Sequence, residues 1–256
     1  MDPAATAAIA YARLVIAAEG GDVAELRYAL RDGADPDFSG AHSMVHRNRP
    51  LFIATFYGHC EIVSILIESG ASVHGLKHID EDGYTALHMA ANIQRLDILS
   101  LLVAAGADVH RGLTNDFTEI YVRGTTALDM LLFKAGFSYT SPLASHIRVL
   151  AQAGAMPSPG FNWEIPQSHM PDNPVEFKRK RAVNERWRAY FAKLAQAGGF
   201  DAHARDERQK LVVIADKFLG LDLAPQVIPI IVDFWGHPGD PALCVSDLPA
   251  RGGPPL

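Results

Sequence analysis

Cysteine is almost absent: Cys60 and Cys244 are the two in 256 residues. A disulfide framework is therefore not expected, and a reducing compartment, the cytoplasm, is. Long hydrophobic runs are missing too. No stretch of about eighteen apolar residues is present to span a bilayer, so no membrane partner is expected. The alanine-rich start MDPAATAAIAYARLVIAA carries Asp2 in place of a basic leader and reads as a capping helix instead of a signal peptide. Charge of one sign is in modest excess, −6 overall, but unevenly spread. Residues 174 to 210 hold ten Lys and Arg against five Asp and Glu, so the remainder is more acidic than the whole.

Chemistry-bearing motifs are scarce as well. There are eleven histidines, yet no H-E-x-x-H, no C-x-x-C, no glycine-rich phosphate loop and no G-x-S-x-G elbow. His169 with Asp172, His203 with Asp206 and His237 with Asp240 share a short spacing that is common at loops and helix ends. No catalytic residue, metal site or cofactor is expected, and a small enzyme in the C-terminal region is kept only as an alternative. Without a recognition helix, zinc spacing or stacking aromatics, nucleic acid is not an expected partner.

What the chain does have is apolar content, 48% with 9% aromatic, enough for a packed core, and a period. Leu14, Leu51 and Leu87 each lie nineteen residues before Gly33, Gly70 and Gly106, and each glycine is followed by alanine. Glycine closes a helix where a left-handed conformation is required, and Ala34, Ala71 and Ala107 leave room for the next unit to stack. A period in the thirties marks a solenoid. A fourth unit begins at GTTALDMLLF, but Leu128 to Gly154 spans twenty-six positions, seven more than its siblings, so an insertion is expected near GFSYTSP.

These units resemble the ankyrin family, whose repeat reads roughly D-x-x-G-x-T-P-L-H-x-A-A, then G-H-x-x-I-V-x-x-L-L, then G-A-D-V-N. Residues 82 to 110, DGYTALHMAANIQRLDILSLLVAAGADVH, match most closely. The first unit, YARLVIAAEGGDVAELRYALRDGADPD, lacks the Thr-Pro-Leu-His opening, as suits an end repeat facing water. The second puts Phe52 in place of the family histidine but keeps Gly58 and His59. The resemblance covers about residues 8 to 158. It implies an all-α solenoid of about four helix pairs with short β-hairpin loops, followed here by a C-terminal helical segment.

In such a stack, hairpin tips and inner helices form a concave face whose variable positions choose a protein partner. The family pattern places His46, Asn48, Phe56 and Tyr57 there from the second unit. Glu81, Asp82, Tyr84, Asn92 and Ile93 come from the third, and Arg123, Thr125, Phe133 and Lys134 from the fourth. Phe56, Tyr57 and Tyr84 are expected to form a rigid aromatic centre rimmed by Glu81 and Asp82, favouring an apolar anchor beside Lys or Arg. Phe56 and Tyr57 packing against the next repeat is the competing reading. Thr85 and His88 are expected to tie the start of their own helix together, a structural role.

The boundaries read from the sequence are 1–158 for the repeats, 159–172 for a proline-rich connector, 173–248 for three helices and 249–256 for a flexible tail. Asn173 and Pro174 open the first of these helices, Val183, Trp187, Tyr190, Phe191 and Leu194 form its apolar stripe, and Gly198 and Gly199 end it. A second helix is expected over about 203 to 219. The third carries Val227, Ile231, Phe234 and Trp235 and faintly resembles F-box-like or SOCS-box-like segments, which implies recruitment of a ubiquitin-ligase component; capping of the stack is the other reading. The run Lys178, Arg179, Lys180, Arg181 is either a nuclear-import signal or the solvated face of a helix.

Overall fold

The computed structural model describes residues 3–37, 49–74, 83–116, 121–137, 143–163 and 174–206. The chain divides into two compact units, one of Met1–Lys134 with Ser145–Phe161, the other of Ala135–Ala144 with Asn162–Leu256.

In the first unit the helices pair in sequence order, α1 (Pro3–Gly20) with α2 (Val23–Arg31), α3 (Pro50–Tyr57) with α4 (Cys60–Glu68), and α5 (Ala86–Ile93) with α6 (Leu96–Ala104). A fourth pair in sequence, α7 (Ala127–Phe137) and α8 (Leu143–Gln152), follows, with residues 135–137 and 143–144 assigned to the second unit. The first helices stack on one another in the order α1, α3, α5, and the second helices in the order α2, α4, α6. Two layers result, with the apolar sides facing inward. Leu14, Leu51, Leu87 and Leu128 are all buried, as are Leu26, Ile62, Leu66, Ile98, Leu99 and Leu102 from the second layer. The nineteen-residue spacing thus brings one leucine per pair to the core and one glycine to each exit.

Those exits explain the glycines. Gly33, Gly70, Gly106 and Gly154 have φ of 88°, 92°, 84° and 89°, a region where a Cβ crowds the backbone. The following alanine N–H returns to the helix, as in Ala34 to Ala29 O at 3.0 Å and Ala107 to Leu102 O at 3.0 Å, satisfying carbonyls the helix end leaves open. Ala34, Ala71, Ala107 and Ala155 are buried.

Helix starts are solved differently in each pair. Thr85 and His88 form a capping box, with Thr85 N–H donating to His88 Nδ1 at 3.2 Å and the hydroxyl 2.9 Å from the same nitrogen. His88 is buried in this structural role. In the fourth pair Asp129 takes that place: its Oδ2 accepts from Thr126 N–H and hydroxyl, each at 2.9 Å, and its Oδ1 from Ser158 N–H at 3.1 Å. In the second pair Arg49 is the N-cap without a side-chain cap bond, Pro50 sits at the first turn, and Phe52 fills the core instead.

No strand is present among the described residues. A single antiparallel bridge joins Gly112 and Thr126, supported by Leu113 N–H to Thr125 O at 3.0 Å. Part of the expected insertion is helical: α7 has 11 residues against 8 in α3 and α5 and runs through Gly136. Residues 138–142, most of GFSYTSP, lie outside the described residues.

In the second unit α9 (Pro174–Ala197) ends at Gly198 and Gly199, with φ of 84° and 115°. Trp187, Tyr190, Phe191 and Leu194 are buried, while Val183 is only half-buried. Asn184 Nδ2 donates to Trp163 O at 3.0 Å. Residues 200–206 are again helical. The remainder of the expected second helix and all of the third, including Val227, Ile231, Phe234 and Trp235, lie outside the described residues.

Candidate protein-binding surface

Five residues after each anchor leucine, the first helices approach their ends. That register places Glu19, Phe56, Asn92 and Phe133 at equivalent positions, followed by Gly20, Tyr57, Ile93 and Lys134. They form one row across the stack because α1, α3 and α5 pack side by side and because Lys134 Nζ donates to Asn92 O at 2.5 Å.

The row differs in exposure along its length. Phe56 and Tyr57 are 52% and 49% exposed, with rings edge to face at 5.1 Å. Tyr57 donates its hydroxyl to Glu19 Oε1 at 2.9 Å, and the carboxylate pushes the phenol above its ordinary value. Tyr57 also stacks on His59 at 6.2 Å, whose Nε2 lies 3.0 Å from Glu19 O. These contacts orient the tyrosine while leaving half of it open. Phe133 and Lys134 are half-buried. Phe133 meets Tyr121 edge to face at 6.2 Å, and burial pushes the Lys134 ammonium below its usual value.

Tyr84 requires a correction. It is only 9% exposed and packs edge-on to Phe52 at 6.1 Å, within a core cluster that includes Met89, Leu113 and Met130. It therefore does not join Phe56 and Tyr57 in an open aromatic centre. The physical reason is the substitution at position 52: without a capping histidine there, an apolar ring fills the space and the tyrosine of the next unit closes over it. Ile93 and Tyr121 pack against the same cluster from the half-buried side. Thr125 is also buried, its carbonyl committed to the bridge. Arg123 is exposed, its N–H donating to Asp116 Oδ1 at 2.7 Å. His46, Asn48, Glu81 and Asp82 lie outside the described residues.

Two neighbours of the row escaped the sequence reading. Glu19 supplies the acidic group beside the aromatic pair, and its register five residues after Leu14 was the available signal. Gln94 ends α5 in the left-handed region, φ 59°, where its counterparts are Gly21 and Gly58. Close by, Arg95 is held by Asp97 through bonds of 3.0 and 2.7 Å; that guanidinium pulls the Asp97 carboxyl down to about 2. Burial and the Asp97 charge push the Cys60 thiol up, away from reactivity.

The basic run on α9 is not uniformly solvated. Lys178 and Arg181 are exposed, Arg181 pairing with Glu185 at 3.0 Å, whereas Lys180 is 8% exposed. Nothing is described of the Arg179 side chain. His203 is buried against Tyr190, with ring centroids 6.1 Å apart. Among the described residues no group of three or more His, Cys, Asp or Glu is placed to hold a metal, and no helix is long and apolar enough to cross a membrane.

Residues 14–112 match the sequence model described as Ankyrin repeats (3 copies). This part of the chain is an ankyrin-repeat stack. The fourth helix pair lies beyond the matched ankyrin repeats. The chain is similar to the probable E3 ubiquitin-protein ligase XBOS32 of Oryza sativa, 36% identical over 99 residues, or 39% of this chain and 19% of that protein. It is also similar to the human ankyrin repeat and SOCS box protein 3, 33% identical over 106 residues, 41% of this chain and 20% of that one. A third relative is alpha-latrocrustotoxin-Lt1a of Latrodectus tredecimguttatus, 34% identical over 91 residues, 36% of this chain and 6% of the toxin. The chain thus spans a fifth or less of these relatives' lengths. A probable ligase, a SOCS box protein and a toxin are all similar to this repeat region, so the likeness is one of architecture and not of a shared activity.

Proposed function

We propose that the ankyrin stack binds a protein partner through the ends of its first helices, centred on Phe56 and Tyr57 and without catalysis by this chain. Ankyrin repeats are a non-enzymatic protein-interaction fold. The observation that carries the finer reading is the exposed aromatic pair, oriented by Glu19 and His59 yet half open. Apolar rings of this size on a rigid support lose little conformational entropy on docking, the usual property of an interface anchor. Glu19 beside them favours a partner that presents Lys or Arg next to an apolar side chain. Affinity capture from a eukaryotic lysate, read by mass spectrometry, compares the chain with its Phe56→Ala, Tyr57→Ala double variant. Selective loss of a partner from the variant supports the reading, and identical recovery by both overturns it.

A second role is proposed from the relatives' names, a ligase and a SOCS box protein: an adaptor in which Val227, Ile231, Phe234 and Trp235 recruit a ubiquitin-ligase component. A chain ending at Ser158 is then expected to lose ligase components while keeping the partner of the repeats. Residence in the cytoplasm, with nuclear entry through Lys178 to Arg181, is part of the same proposal; fluorescence microscopy of the tagged chain checks it.

A further inference from the structure

Gln94 combines three features that packing does not explain. It is the non-glycine residue with positive φ among those described, 59°, where a side chain raises the energy of the backbone. Its equivalents in the two preceding repeats are glycines at φ 77° and 79°. Its side chain is exposed and makes no hydrogen bond among the described residues. The α5 cap itself uses only backbone: Gln94 N–H returns to Ala90 and Ala91 carbonyls. A glycine would serve the fold better, and among the described residues the side chain makes no hydrogen bond that offsets the strain.

Its position supplies a role. Arg95 stacks over Gly58, so close that a Cβ there would lie 2.5 Å from Nη1. Gly58 directly follows Tyr57, and Arg95 directly follows Gln94. Gln94 therefore lies in the repeat that packs on the aromatic pair from the following side, whereas Glu19, which bonds Tyr57, belongs to the preceding repeat. Arg95 adds little repulsion to a cationic partner, because Asp97 pairs with it through two bonds.

Resting on the binding role proposed above, we infer that Gln94 is a specificity-determining contact: its amide hydrogen-bonds the main chain of an extended, Lys- or Arg-bearing segment whose apolar side chain sits on Phe56 and Tyr57. A primary amide offers two donors and an acceptor, which matches the alternating N–H and C=O of an extended strand. Glu19 pairs with the cation at the other end of the same short path.

The test uses peptides selected from a random phage-displayed library against the full chain, with Kd measured for the chain and its variants. The selected peptides are expected to carry Lys or Arg close to an aromatic or aliphatic residue and to lose binding to F56A. Against those peptides Gln94→Ala, which removes the amide but keeps a Cβ, and Gln94→Gly are both expected to weaken binding about 3- to 10-fold, the scale of one interfacial hydrogen bond. Gln94→Gly is at the same time expected to raise the unfolding midpoint by roughly 2–4 °C. A higher midpoint with unchanged Kd overturns the inference, as does loss in Gln94→Gly alone, which would trace to backbone freedom. If Phe56→Ala keeps full affinity for every selected peptide, the aromatic-pair surface falls and the Gln94 contact with it. If Phe56→Ala loses binding while both Gln94 variants keep it, only the Gln94 contact falls.

Discussion

Phe52 and Phe56 lie four residues apart on α3, each in an edge-to-face pair with a tyrosine, and meet opposite fates. Phe52 and Tyr84 are both 9% exposed, while Phe56 and Tyr57 are 52% and 49% exposed. The chemistry of the two pairs is nearly the same. What differs is the neighbour: Phe52 faces the next repeat, whose Tyr84, Met89 and Leu113 close over it, whereas Phe56 lies at the helix end, where half-buried Asn92 and Ile93 leave it open. Aromatic type alone therefore does not separate a core residue from a recognition residue in this stack.

The largest expected effect breaks the buried pair. Phe52→Ala removes a ring from the packed core and is expected to cost about 3–5 kcal/mol, whereas Phe56→Ala on the same helix is expected to change stability by no more than about 0.5 kcal/mol; urea unfolding of both variants measures the contrast. Next in size, the Phe56→Ala, Tyr57→Ala double variant is expected to lose about 2 kcal/mol of partner affinity with its unfolding midpoint nearly unchanged, checked by titration of the captured partner. Tyr84→Ala, by contrast, is expected to act through stability.

Smaller effects sharpen the contrast between repeats. Thr85→Ala opens the capping box of the third repeat and is expected to cost about 1 kcal/mol. The second repeat begins at Arg49 without a side-chain cap bond, so substitution there carries no capping loss; denaturant melts of both variants compare them. The smallest effect is electrostatic. The Asp97 carboxyl is held at about 2, below its ordinary 3.8, chiefly by Arg95. Its contribution to stability is therefore fully present above about pH 4 and is lost as pH falls toward 2. Both partners are well exposed, 41% and 46%, so the amplitude is expected to be a few tenths of a kcal/mol. Asp97→Asn is expected to remove that acid-dependent part in unfolding curves recorded between pH 6 and pH 2.5.

Much of the fold was legible because its signals are local. The nineteen-residue spacing from leucine to glycine marks positions where a helix must pack and where it must stop, and Gly33, Gly70 and Gly106 adopt the expected left-handed conformation. Thr85 and His88 are three apart on one turn, so their bonding follows from helix geometry alone. The candidate surface was less legible. Tyr84 and Tyr57 look alike in the linear pattern, and their burial is set by partners in other repeats. Glu19 was missed because the first repeat lacks the opening motif on which the register was laid, though its distance from Leu14 contained the same information. Gln94 carries no signal in the linear pattern beyond standing where the two preceding repeats have Gly21 and Gly58.

By itself the sequence determined a repeated helix pair, its stops, its capping residues and the apolar side of each helix, since those depend on interactions within one turn or one repeat. Only the tertiary structure decided which aromatic pair is core and which is open, that Glu19 orients Tyr57, and that Gln94 takes a left-handed conformation. Those outcomes depend on contacts between residues 32 to 38 positions apart, where the stacking of neighbouring repeats, not local propensity, sets distance and burial.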